Sequence, residues 1–311
     1  MPRLPGTELD VADLTFGGNV FGWTADEPTS FALLDRYVDA VPSTHAPMVD
    51  TAEAYGNGRS EQILGAWLAA RGARDRVVVA TKASARTADG PKQHPLSAAE
   101  ITAAAERSLT NLRTDHIDVY YAHVDDATTP LEETLQAFDA LVQAGKVRYA
   151  AASNYSAARL TEALDLAQRA GLSGYVAVQP HYNLVERPVY EDALRDVVAE
   201  AQLACFPYFG LAKGFLTGKY RPGERVDSPR AEGAQRYVGA RGDRVLAALG
   251  EVADAHGATS AAVALRWLAD RPTVTAPIAS GRSVEQLAEL LPMLDLVLTD
   301  DERAGLDDAS A

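Results

Sequence analysis

One cysteine, Cys205, stands in a chain of 311 residues, so no disulfide can form within it. Its place in an apolar run marks it as a small buried side chain in a reducing compartment. Cysteine and histidine nowhere fall at metal-ligand spacing, so no metal is expected. An excess of positive charge is also missing. The 29 Lys and Arg face 43 Asp and Glu, a formal net charge of −14. That balance disfavours nucleic acid or an anionic membrane as partner, while leaving room for a local basic pocket that holds a phosphate. No apolar run reaches the ~18 residues of a membrane span. The start, Met1-Pro2-Arg3-Leu4-Pro5-Gly6, has no apolar signal core, and a cytoplasmic location is expected. Two phosphate signatures fail as well. Gly17 to Gly22 breaks the Gly-x-Gly-x-x-Gly pattern at Gly18. Gly214 to Lys219 has too few residues between its glycines for a P-loop, and Tyr220 where Ser or Thr is needed.

What is present is alternation. Short apolar runs read as strands at Leu14–Phe16, Met48–Asp50, Val77–Thr81, Ile117–Ala122, Val147–Ala152, Val176–Val178, Leu203–Pro207 and Val274–Ile278. Between them lie helical patterns at Phe31–Val41, Ser60–Arg71 with Ser60 as N-cap, Ser97–Leu112 opening with a capping box, Thr129–Ala144, Ala157–Ala170, Tyr190–Ala201, Gly242–Ala255, Ser260–Ala269 and Ser283–Leu291. This is the arithmetic of an α/β (β/α)8 TIM barrel in one domain. A short hairpin is expected before the first strand, and a helical or loop extension after the last. The long segment from Gly210 to Gly242 is of a length that usually carries function.

A polar residue closes strand after strand: Asp50, Lys82, His123, Asn154, Gln179 and Tyr208. Barrel active sites are built on that face. Each of these residues alone has an ordinary structural role open to it, but six in register around one rim do not read as chance. Tyr55 lies five residues past Asp50. A phenol keeps its proton at neutral pH and acts as a general acid when a nearby cation favours the phenolate it leaves. Lys82 is placed to be that cation and so to acidify the phenol. Asp50 is placed to hold Lys82 charged, and His123 to hydrogen-bond a substrate oxygen. The set suits protonation of a carbonyl oxygen as hydride reaches the carbon.

The ordered stretches DTAEAYGNGRSE, VVVATKAS, IDVYYAH, TPLEETLQAFDALVQAGKVRYAAASNYS, VQPHYNLVER, GLAKGFLTGKY and SVEQLAEL together resemble the aldo-keto reductase family over nearly the whole chain. The resemblance implies NADPH bound across the barrel mouth, with NADH also admitted, and a catalytic tetrad of Asp50, Tyr55, Lys82 and His123. It implies that Ser153, Asn154 and Gln179 bind the nicotinamide carboxamide, that Tyr208 stacks on the ring, and that Gly210, Leu211 and Lys213 cover the pyrophosphate. Ser280, Gly281, Arg282 and Gln286 match the site of the adenosine 2′-phosphate, and Gly18 and Phe209 complete the cofactor set. Two departures from the pattern stand out. Leu290 stands where an adenine-binding Asn is usual, and Ser280 and Gln286 leave Arg282 as the obvious cation of its stretch.

The substrate, a small carbonyl compound, is expected against Trp23, Tyr55 and His123, with Phe21 and Phe209 lining the pocket and the Tyr220–Tyr237 loop closing it. Trp67 and Trp267 read as core. His45, His94, His116 and His256 read as structural or surface, and His181 as support for the rim. The sequence leaves monomer and homo-oligomer open. Two other readings are a cofactor-sensing binding protein of the same fold and a barrel isomerase or lyase without nicotinamide.

Overall fold

The computed structural model describes residues 4–83, 95–220 and 229–311. Eight parallel strands follow one another in the order β7-β6-β5-β4-β3-β2-β1-β8: β1 (Val11–Gly17), β2 (Ala46–Asp50), β3 (Val78–Ala83), β4 (Ile117–Ala122), β5 (Val147–Ser153), β6 (Ala177–Gln179), β7 (Ala204–Cys205) and β8 (Ile278–Ala279). The ends meet. Thr275 and Ala276 N–H donate to the Cys205 carbonyl, and Ile278 N–H donates to Pro207, so the sheet closes on itself. The (β/α)8 barrel expected from the alternation is the fold. The helices around the first five strands are α1 (Glu27–Ala40), α2 (Arg59–Arg71), α3 (Ala98–Leu112), α4 (Leu131–Gln143) and α5 (Ala157–Ala170). Then come α6 (Pro188–Glu191), α7 (Ala193–Glu200), α8 (Ala231–Gln235), α9 (Ala240–His256), α10 (Ser260–Ala269), α11 (Val284–Leu290) and the C-terminal α12 (Asp300–Ser310).

The strand alternation sorts side chains into two cores, as the period of two requires. Val11, Met48, Val78, Ala80, Val119, Tyr121, Ala151, Ala177, Ala204 and Phe206 fill the barrel interior. Val49, Val79, Tyr120, Ala150, Val178 and Cys205 point the other way, into the layer shared with the helices, where Trp67 and Trp267 are also buried. Leu4 and Leu9 join the interior set. Of the expected N-terminal hairpin the described residues show the turn, closed by Leu4 N–H to the Leu9 carbonyl at 3.0 Å.

Several expected elements change, among them strand seven, which shrinks from the expected Leu203–Pro207 to Ala204–Cys205. Ser60 is not a cap: α2 begins at Arg59 behind Gly58, whose φ of +85° supplies the turn. The helix expected over Tyr190–Ala201 is two pieces broken at Asp192, whose ψ of −113° no helix accepts. Strand eight shrinks to Ile278–Ala279, because the N–H groups of Val274 to Ala276 bond to Arg271 and Cys205 rather than to β1. Ser97 does cap α3, accepting from Glu100 N–H. Gly65 lets α2 lie directly on α3, since a Cβ there would sit 2.3 Å from the Asn111 carbonyl oxygen. No helix among the described residues is long and apolar enough to cross a membrane.

Candidate active site

The inward parity of each strand, continued by one step, sets the site. Met48 leads to Asp50, Val78 and Ala80 to Lys82, Val119 and Tyr121 to His123, Ala151 to Ser153, Ala177 to Gln179, and Phe206 to Tyr208. The residues that end the barrel core therefore converge on one rim.

Lys82 is 1% exposed. Its ammonium lies 2.6 Å from Asp50 Oδ1, 2.8 Å from the Thr51 carbonyl oxygen and 3.4 Å from the Tyr55 hydroxyl. Those three acceptors take its three N–H groups. The other Asp50 oxygen accepts from Gln179 Nε2 at 2.9 Å. Burial opposes the charge on Lys82, but Asp50 and Tyr55 favour it, and its pKa stands above the ordinary Lys value. The half-buried Tyr55 differs from the sequence expectation of an acidified phenol. Burial raises its pKa, Lys82 draws it down, Asp50 pushes it up, and the net direction is upward. Tyr55 therefore holds its proton at neutral pH, with Lys82 limiting the rise.

His123 meets the Tyr55 ring edge-on, with centroids 6.1 Å apart. Its carbonyl accepts from Asn154 Nδ2 at 2.8 Å, and its Nδ1 has no hydrogen-bond partner among the described residues. Burial, helped by the Lys82 charge, lowers its pKa from 6.5 to about 3. The imidazole is thus neutral at physiological pH. His123 therefore contributes stability that is complete above pH 6.5 and lost as pH falls toward 3. A profile of turnover against pH is expected to show no acid limb from His123 between about pH 5 and 7. A limb at the ordinary histidine pKa that disappears in His123→Gln would contradict this assignment.

Beside the four lies an interlocked polar set. Ser153 Oγ donates to the Gln179 carbonyl at 2.9 Å, and Tyr208 OH donates to Asn154 Oδ1 at 2.8 Å. Asn154 is held with φ of +59°. His181 stacks on Tyr208 at 5.3 Å and 13°, so it does support the rim. Phe209, Ala212 and Lys213 all have positive φ, at 54°, 48° and 59°. Non-glycine residues rarely hold this conformation, and it gathers at functional loops.

A cavity of about 690 Å³ takes in Asp50, Tyr55, His123, Ser153, Asn154, Gln179 and Tyr208. It continues past Phe209, Gly210, Leu211 and Lys213 to Ser280, Arg282 and Gln286, with Trp23, 56% exposed, also lining it. Two of the expected cofactor residues stand back from this surface. Gly18 turns its carbonyl to Ser60 and packs against Phe21, while its neighbours Gly17 and Asn19 line the cavity. Gly281 packs against the start of α11, where a Cβ would meet Leu287 N at 2.8 Å. Phe21 is not a pocket residue: it is fully buried and stacks on Phe16. Ser280 Oγ lies 2.7 Å from the Gly17 carbonyl, and Gln286 Oε1 accepts from Arg282 N–H.

Arg282 does not stand alone. Lys219 and Arg230 line the same cavity, and both have their pKa values lowered, first by burial and then by the neighbouring cations, Arg282 among them. Arg230 also lies over the Trp23 ring at 5.7 Å. These two cations were not singled out from the sequence, because they sit in an irregular segment with no periodicity to place them. Residues 221–228 of the expected closing loop, and His94, lie outside the described residues. His116 and His256 pair with acids on the outer surface, and Trp67 and Trp267 are core.

The profile of the Aldo/keto reductase family matches residues 13–311. A rice protein named as a probable voltage-gated potassium channel subunit beta is 34% identical over 297 residues, covering 93% of this chain and 89% of the relative. An uncharacterised oxidoreductase of Bacillus subtilis, YrpG, is 33% identical over 304 residues, covering 94% and 90%. An aryl-alcohol dehydrogenase [NADP(+)] of Phanerodontia chrysosporium is 30% identical over 329 residues, covering 98% and 84%.

Proposed function

The chain belongs to the aldo/keto reductase family, and on that premise we propose that it reduces an aldehyde or ketone to the alcohol with NADPH, Tyr55 giving the proton. The observation that carries this reading is the Lys82 ammonium, buried against Asp50 and Tyr55, which line the cavity. When bound, the reduced nicotinamide supplies the hydride. Lys82 donates to the Tyr55 oxygen, which leaves the phenolic hydrogen to point at a substrate oxygen. As that hydrogen leaves, the ammonium stabilises the phenolate. His123, being neutral, keeps a ring N–H to orient the same oxygen without adding charge. Trp23 gives the substrate an apolar wall.

The residues present fit the cofactor. Ser153, Asn154 and Gln179 form a ready-made polar set for a carboxamide, and Tyr208, braced by His181, offers a flat face for the ring. Phe209, Gly210, Leu211 and Lys213 supply a loop for the pyrophosphate. Lys219, Arg230 and Arg282 put three cations along the cavity of a protein with net charge −14. Cations crowded enough that the Arg282 charge lowers the pKa values of Lys219 and Arg230 favour a polyanion, which supports NADPH over NADH. Arg282→Ala is expected to lower kcat/KM with NADPH by about 10–100-fold, the worth of a charge-assisted hydrogen bond, and to leave NADH nearly unchanged. Equal loss with both cofactors would remove Arg282 from the 2′-phosphate.

The relatives named as potassium-channel β subunits favour a second reading, a cofactor-sensing subunit with little turnover. Loss of absorbance at 340 nm from NADPH with a panel of aldehydes and ketones separates the two. Turnover with any member of the panel supports the reductase, and cofactor binding without turnover supports the sensor.

A further inference from the structure

Lys82 is held from a side that the four site residues do not explain. Its ammonium bonds the Thr51 carbonyl at 2.8 Å, and the Thr51 hydroxyl lies 2.7 Å from Ser60 Oγ. Ser60 Oγ is also 2.7 Å from the Gly18 carbonyl oxygen. A serine has one hydrogen to give, and a carbonyl can only accept. The Ser60 hydrogen therefore goes to Gly18, and the Thr51 hydroxyl must donate to Ser60. Thr51 and Ser60 are both fully buried, so water does not substitute for either bond. The same turn of α2 grips the lysine strand on its other side: Glu61 Oε1 accepts from Thr81 Oγ1 at 2.7 Å, one residue before Lys82, and Glu61 Oε2 accepts from Asn111.

We infer that Ser60 is a positioning residue for the Lys82 ammonium, acting through the Thr51 hydroxyl to fix the carbonyl that takes one of its three N–H groups. Of the ammonium's contacts, the one to Tyr55 is the longest, at 3.4 Å against 2.6 Å to Asp50. Once Thr51 is free to turn, the ammonium is drawn toward the carboxylate and away from the phenol. The inference rests on Tyr55 being the proton donor. Besides Lys82, the charged and titratable groups that face Tyr55 are Asp50, Arg230, His123 and Tyr208, and none of them bonds Ser60 or Thr51.

The experiment measures kcat for carbonyl reduction against pH, with KM, NADPH affinity and melting temperature, for Ser60→Ala, Thr51→Val, the double variant and Thr51→Ser. The inference expects kcat to fall about tenfold in Ser60→Ala and in Thr51→Val. Their alkaline limb should move upward, because Lys82 no longer lowers the phenol's pKa as strongly, while KM and NADPH affinity stay constant. The double variant should be no slower than the slower single, since both break one chain of bonds. Thr51→Ser, which keeps the hydroxyl, should restore the limb. If Ser60→Ala does not fold, the Thr51 pair decides alone. An unmoved limb in Thr51→Val, an equal shift in Thr51→Ser, or additive losses in the double variant would each overturn the inference. Tyr55→Phe run alongside keeps the two claims apart. Full turnover there removes Tyr55 as donor, whereas an unmoved limb beside an inactive Tyr55→Phe removes only Ser60.

Discussion

Lys82→Met is expected to abolish measurable turnover and to destabilise the fold by about 3–5 kcal/mol, the usual consequence of removing one partner from a buried ion pair. The side chain is fully enclosed, and Met matches its stem as far as Cε without the charged end. Among the described residues Asp50 would keep only Gln179 as a donor, in a site that water reaches poorly. The cost arises from the stranded carboxylate more than from the lost attraction. Asp50→Asn combined with Lys82→Met should therefore recover much of the melting temperature that Lys82→Met loses, yet none of the turnover. Urea unfolding of Lys82→Met, Asp50→Asn and the double variant checks the first part, and NADPH consumption the second. If the double variant were as unstable as the sum of two independent losses, Asp50 and Lys82 would not be the coupled pair described here.

Tyr55→Phe is expected to lower kcat by about 10²–10⁴-fold, the range for removing a general acid, with NADPH binding preserved. The ring stays, so its edge contact with His123 and its face toward Lys82 are kept. What goes is the single hydrogen that Lys82 leaves undirected. Fluorescence titration with NADPH would confirm the intact site, and a kcat near wild type would remove Tyr55 from the chemistry. Its raised pKa gives a further check in the intact enzyme: reduction should persist into alkaline pH and fall only as the phenol ionises.

The barrel was legible because it is periodic. Each strand sends alternate residues to the barrel interior, so a single polar residue two steps beyond the last inward one, such as Lys82 after Ala80 or Gln179 after Ala177, could only face the mouth. The balance of charges around Tyr55 was not legible. Lys82 alone suggests an acidified phenol, but enclosure outweighs it, and enclosure is a property of packing. Ser60 looked like a cap because serine before an apolar run usually is one. The left-handed Gly58 took that role and left the Ser60 hydroxyl pointing inward to Thr51. Phe21 looked like a cleft residue because it follows a strand, but stacking on Phe16 turned it to the core. Lys219 and Arg230 were missed since loop residues have no period from which to infer direction.

The most direct test of the account is reduction of an aldehyde or ketone by the wild-type protein with NADPH deuterated at the nicotinamide C4. The account predicts an alcohol carrying deuterium on the former carbonyl carbon, with the hydroxyl hydrogen from solvent. A protein that binds NADPH at the cavity and yields no labelled alcohol from any carbonyl compound would contradict it.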